Sequence, residues 1–110
     1  MEKILIIEDN SDIRDNTQEL LQLNGYDVLA ASDGGEGVSM AFSYSPDIIL
    51  CDIQMPVKTG YEVLSSLKSD PVTSKIPIVF FTASVEKRKY RWLSNWELMD
   101  IYVNHLRQVN

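Results

Sequence analysis

Pro46-Asp47-Ile48-Ile49-Leu50-Cys51-Asp52-Ile53-Gln54-Met55-Pro56 is the stretch whose reading decides the fold. Ile48, Ile49, Leu50 and Cys51 form an unbroken apolar run. It is too short for a helix and suits a strand covered on both faces, as in a parallel sheet. Asp52 ends the run, and Pro56 forces the chain into a loop. Open α/β sheets bind ligands and do chemistry just beyond the carboxyl ends of their strands. Asp52 is therefore the leading candidate for a functional residue.

Towards the N-terminus, Lys3-Ile4-Leu5-Ile6-Ile7 is a second continuous run, and it stops at Glu8 and Asp9. Asn10 or Ser11 can cap the helix that follows, in which Ile13, Thr17, Leu20, Leu21 and Asn24 recur at helical spacing before Gly25 supplies the stop. Asp27 to Ala31 reads as a brief strand and Asp33-Gly34-Gly35 as a turn. Val38, Ala41 and Phe42 give one apolar helical face that ends before Pro46. Towards the C-terminus, Gly60 opens a helix carrying Tyr61, Leu64 and Leu67, which Asp70-Pro71 breaks. Pro77 precedes Ile78-Val79-Phe80-Phe81, a fourth buried strand that delivers Thr82 at its end. This alternation predicts a doubly wound parallel α/β sheet with helices on both faces and right-handed crossovers. All the strands then aim their carboxyl ends at one rim.

Glu8 and Asp9, Asp52, and Thr82 end three of those strands. Each alone has an ordinary reading: Asp9 as a helix cap, Thr82 as a strand-end threonine. Together, three carboxylates in one place repel one another unless a cation offsets them, which points to a divalent ion with oxygen ligands, best Mg²⁺. A carboxylate beside Mg²⁺ can attack phosphorus to give an acyl phosphate. Thr82 could then hydrogen-bond a phosphoryl oxygen.

Composition narrows the classes further. The chain has 110 residues, 45% of them hydrophobic, which suits one domain with a single core. A net charge of -6 argues against nucleic acid as a partner. No apolar run approaches the roughly 18 residues of a membrane span and no signal peptide is evident, so a cytoplasmic protein without a membrane contact is expected. The single cysteine, Cys51, reads as a buried packing residue. His105 and the Lys87-Arg88-Lys89 cluster with Arg91 read as surface.

Ile-Leu-Ile-Ile-Glu-Asp-Asn at positions 4 to 10, the stretch from Pro46 to Pro56, Gly60-Tyr61-Glu62-Val63-Leu64, and Ile-Pro-Ile-Val-Phe-Phe-Thr-Ala at positions 76 to 83 together resemble a bacterial response-regulator receiver domain. The resemblance covers about the first 90 residues. It implies a flavodoxin-like (CheY-like) fold with strand order 2-1-3-4-5 that takes a phosphoryl group from a histidine kinase. By that likeness Asp52 is the phosphoacceptor, and Asp9, Asp52 and the main-chain oxygen of Gln54 bind Mg²⁺. Glu8 helps through a metal-bound water, and Thr82 is the switch hydroxyl.

The likeness breaks off near Trp92. A receiver has a fifth strand ending in lysine, usually followed by proline, and a last helix, and no such pattern occurs from Trp92 onwards. The expected sheet is therefore 2-1-3-4, with the fifth strand and last helix missing or replaced by a C-terminal helix. Residues 1–91 form the receiver core and 92–110 an aberrant tail. Back-translating the tail and reading one nucleotide early permits LAIELGADGYICKPFTPGE, in which Trp96-Glu97 and Met99-Asp100 force the two glycines. That peptide is receiver-like, so a frameshift just before Trp92 is the expected origin of the tail. The tail itself has helical character. Ser94-Asn95-Trp96-Glu97 is a capping-box pattern, and Trp92, Trp96, Met99, Val103 and Leu106 make an apolar stripe that calls for self-association.

Two rivals stand beside the signalling receiver. Aspartate-nucleophile phosphatases also place Asp at a strand end, but they resemble Asp-x-Asp, and Gln54 lacks the acid used for proton transfer. An enzyme in the ordinary sense is thus not expected. A phosphorylation-independent interaction module is favoured by the missing lysine, which should impair phosphorylation or its readout. Flavin binding is disfavoured because the Glu-Asp-Asn-Ser-Asp turn would repel a cofactor phosphate.

Overall fold

The computed structural model describes residues 2–52, 55 and 58–81. Over these residues the chain runs β1 (Lys3–Ile7), α1 (Ser11–Leu23), β2 (Asp27–Ala31), α2 (Gly34–Tyr44), β3 (Ile48–Asp52), α3 (Gly60–Lys68) and β4 (Ile78–Phe81). The four strands form one parallel sheet in the order β2-β1-β3-β4. The doubly wound α/β architecture and the order 2-1-3-4 are thus as expected. The expected absence of a fifth strand and the tail from 92 lie outside the described residues.

The apolar runs Lys3–Ile7 and Ile48–Cys51 form the central pair of strands, where a strand is covered on both faces. Every residue of β3 is buried, and so are Ile4 to Ile7 of β1. The outer strands are less enclosed: β2 exposes Asp27, and Ile78 and Phe80 of β4 are half-buried. In β4, expected as a buried strand, Val79 is buried while Ile78 and Phe80 are half-buried, and among the described residues its one sheet neighbour is β3.

Alternation along the strands divides the core in two. Ile4, Ile6, Ile48, Leu50, Val28 and Val79 face α1, where they meet Leu21, Ile13 and Leu20. Leu5, Ile7, Ile49, Cys51 and Ala31 face the other way, against Ala41 of α2 and Val63 and Leu67 of α3. Helices therefore cover both faces, as the connectivity requires.

Local chemistry fixes where each helix begins. The Asn10 side chain caps α1 by accepting from the Ile13 N–H (3.0 Å), and Gly25, at φ +89°, takes the left-handed turn that leads into β2. Asp33-Gly34-Gly35 is not a free turn. Asp33 is the N-cap of α2, accepting from the Glu36 N–H (2.8 Å), and the chain winds into the helix at Gly34. Gly34 is packed so closely that an added Cβ would come within 2.9 Å of Val63 and of Lys58. Thr59 and Glu62 cap α3 reciprocally. The buried face of α3 is Gly60, Val63 and Leu67, while Tyr61 is exposed and leans on the ring of Phe80 with centroids 5.9 Å apart. After α3, Thr73 is fully buried and its hydroxyl donates to the Leu67 carbonyl (2.7 Å), which closes the helix end.

Candidate functional site

Parallel pairing in register brings Ile7 beside Cys51, so the residues that follow them, Glu8 and Asp52, leave the sheet side by side at its carboxyl edge. Asp9 is one residue further on. Ligand oxygens of Glu8, Asp9 and Asp52 all lie within 4.8 Å of one another. Glu8 and Asp52 are fully buried, and Asp9 is exposed, so the cluster opens to solvent on the Asp9 side.

Two buried carboxylates with a third beside them are costly by themselves, since like charges repel and burial strips hydration from Glu8 and Asp52. The donor set is all oxygen and anionic, which matches hard divalent cations. Oxygens on opposite sides of one ion are about 4 Å apart for Mg²⁺ and about 5 Å for Ca²⁺. Within 4.8 Å of one another, the three carboxylates are near enough to surround one ion, directly or through a water, and these three residues could hold one.

Neighbouring groups fix the carboxylates in place. The Glu8 N–H donates to the Ala31 carbonyl (3.1 Å), tying the end of β1 to β2. The Asp9 N–H donates to the Glu8 carboxylate (3.1 Å). Arg14, on the first turns of α1, donates from its guanidinium to the Glu8 carbonyl (3.0 Å). On β3, the Cys51 thiol contacts the Asp52 carbonyl at 3.4 Å. Burial, with the charges of Asp52 and Glu8 adding to it, pushes that thiol up to about 12. Cys51 is therefore an inert packing residue, as read from the sequence.

Of the residues singled out by sequence, Glu8, Asp9 and Asp52 converge. Gln54 and Thr82 lie outside the described residues, although Phe81, which precedes Thr82, is paired with Asp52 across β3 and β4. Arg14 was not foreseen. A basic residue four positions after a helix cap carries no local signal that it reaches back to the preceding strand end.

A family model described as response regulator receiver domain matches residues 4–101. The chain belongs to that family. Receiver domains are signalling domains of two-component response regulators, not enzymes in the ordinary sense. This receiver is 34% identical to Protein PilH of Pseudomonas aeruginosa over 92 residues, which are 84% of this chain and 76% of PilH. It is 38% identical to the probable transcriptional regulator ycf29 of Pyropia yezoensis over 74% of its own length, but only 36% of ycf29 is spanned. Among solved structures, chemotaxis protein CheY4 of Vibrio cholerae superimposes with a TM-score of 0.77 at 26% identity, covering 94% of this receiver and 98% of CheY4. No helix among the described residues is long and apolar enough to cross a membrane.

Proposed function

We propose that this receiver accepts a phosphoryl group on Asp52 from a phosphohistidine of a histidine kinase or phosphotransfer protein, in the cytoplasm and with Mg²⁺ bound. The observation that carries the reading is the convergence of Glu8, Asp9 and Asp52 at the carboxyl ends of two adjacent parallel strands. Asp9, Asp52 and the main-chain oxygen of Gln54 would hold the ion, with Glu8 acting through a water. When bound, Mg²⁺ neutralises charge on the transferring phosphoryl oxygens.

The chain's own part is to present one nucleophile in one orientation. Asp52 is held at the end of a strand paired on both sides and shielded from bulk water, which limits the arrangements its carboxylate can take. A carboxylate oxygen forms the new O–P bond as the N–P bond of the donor breaks, and the electron pair returns to the imidazole nitrogen. Thr82 would serve as the switch hydroxyl that reads the phosphoryl group.

The sequence from Trp92 lacks the lysine that would complete that readout, so we expect phosphorylation or its transmission to be impaired. This specific departure favours a second reading, a receiver-like module that binds its partner independently of phosphorylation. Incubation with acetyl phosphate and Mg²⁺ separates the two. Mass spectrometry showing the gain of one phosphoryl group, abolished in Asp52→Asn, supports the phosphoacceptor. An unchanged mass supports the interaction module.

A further inference from the structure

The Glu8–Asp9 peptide is the short bridge between two of the three clustered carboxylates, and it is pinned at both ends. Its carbonyl oxygen, that of Glu8, accepts from the Arg14 guanidinium at 3.0 Å. Its N–H, that of Asp9, donates to the Glu8 carboxylate at 3.1 Å. Upstream, the Glu8 N–H is fixed to the Ala31 carbonyl at 3.1 Å. Arg14 is itself rigidly placed: it is half-buried, and its N–H donates to the Asn10 carbonyl (2.9 Å) one turn above the cap.

From this arrangement we infer that Arg14 is a positioning residue for the acidic site, locking the Glu8–Asp9 peptide plane so that both carboxylates face the ion. The inference rests on the reading of the cluster as a Mg²⁺ site. Rotation of that peptide would carry the Asp9 N–H away from the Glu8 carboxylate and swing the two side chains apart. A charge-assisted bond from a planar, permanently charged donor resists such a rotation better than a water would. A guanidinium held at the Glu8 carbonyl also has an opposite effect, since its positive charge beside an acidic cluster competes with the metal. The two roles predict opposite signs. The bond to a main-chain carbonyl, and not charge alone, is what makes anchoring the dominant one.

The test compares the wild-type chain with Arg14→Met, which keeps the aliphatic stem but has neither charge nor donor, and Arg14→Lys, which keeps both at similar reach. Without metal, the Asp9 amide should exchange with solvent faster in Arg14→Met than in the wild type or Arg14→Lys. In a Mg²⁺ titration the dissociation constant should rise about tenfold in Arg14→Met, the scale at which residues behind metal ligands act. In Arg14→Lys it should stay within about threefold of wild type on the same basis. Wild-type exchange of the Asp9 amide in Arg14→Met, or Mg²⁺ binding as tight as or tighter than wild type in that variant, overturns the anchoring role. Failure of the wild type to bind Mg²⁺ sinks the metal-site reading instead, and is told apart because the amide comparison needs no metal.

Discussion

Gly37 of α2 rests directly on the Ile7 side chain of β1, with no room between them for a methyl group. This contact sets how closely α2 approaches the strand that carries Glu8. In Gly37→Ala the gain in helix propensity, about 1 kcal/mol, is outweighed because Cδ1, Cγ1 and Cγ2 of a fully buried Ile7 all crowd the new Cβ. We expect a net loss of about 1 to 3 kcal/mol, measured as a lower urea midpoint. Gly35→Ala is the control, since its Cβ would meet only Asp33 Oδ1 at 3.4 Å. An unchanged midpoint in Gly37→Ala would show that α2 is not seated against Ile7.

Alkaline pH should destabilise the fold through Cys51. Its thiol is raised from 9.0 to about 12 by burial, then by Asp52 and Glu8. Below about pH 9 the thiol is protonated in both the folded and unfolded chains and contributes no pH dependence. Above that, the unfolded chain releases a proton that the folded chain retains, so stability falls as pH rises, by at most about 1.4 kcal/mol per pH unit. Urea midpoints of wild type and Cys51→Ala between pH 8 and 10.5 should converge with rising pH. Parallel curves would contradict the assignment.

Mg²⁺ should stabilise the receiver, because the cluster of Glu8, Asp9 and Asp52 exists only in the folded chain. At a tenfold excess over its dissociation constant the gain is about 1.4 kcal/mol, visible as a raised melting temperature. In Asp52→Asn one of the three like charges is gone. The metal-free protein should then melt higher than the metal-free wild type and respond less to Mg²⁺. A wild-type melting temperature indifferent to millimolar Mg²⁺ would count against the site.

Ser45, the C-cap of α2, has left-handed backbone angles, φ 45° and ψ 62°. Its N–H still donates to the Ala41 carbonyl (3.1 Å), and its left-handed angles then turn the chain out of the helix. A Cβ makes such angles costly, and Ser45→Gly should stabilise the protein by about 0.5 to 1 kcal/mol net of the extra freedom of glycine in the unfolded chain. Differential scanning calorimetry checks this, and a lower melting temperature would refute it.

The apolar stripe proposed for the tail, Trp92, Trp96, Met99, Val103 and Leu106, predicts self-association. Light scattering at micromolar concentration should give more than the mass of one chain, and a strictly monomeric species would disprove it. The frameshift is checked at the DNA: a coding sequence without a receiver-like frame past codon 91 excludes it.

Much of this was legible along the chain itself. Continuous apolar runs marked β1, β3 and β4, and for β1 and β3 the reason is that burial on both faces leaves a purely local record. The acids that end two of those runs named Glu8, Asp9 and Asp52 in advance. Other features depended on what each element met. The face by which α3 is buried is Gly60, Val63 and Leu67, not the Tyr61, Leu64 and Leu67 series, because α2 and the sheet cover that side and leave Tyr61 to solvent. Gly34 begins a helix capped by Asp33, and what holds that position to glycine is the approach of Val63 and Lys58 from distant parts of the chain.

Composition and pattern thus determined which segments become strands and which side chains leave them at the rim. The family likeness supplied the order that puts β1 between β2 and β3, and only the tertiary structure decided the register that sets Glu8 beside Asp52 and the fold of α1 that lets Arg14 reach the peptide joining Glu8 to Asp9. The reason is physical. A strand's own residues record how deeply it is buried, but the partner it pairs with, and the register of that pairing, follow from contacts between distant segments that no single segment contains.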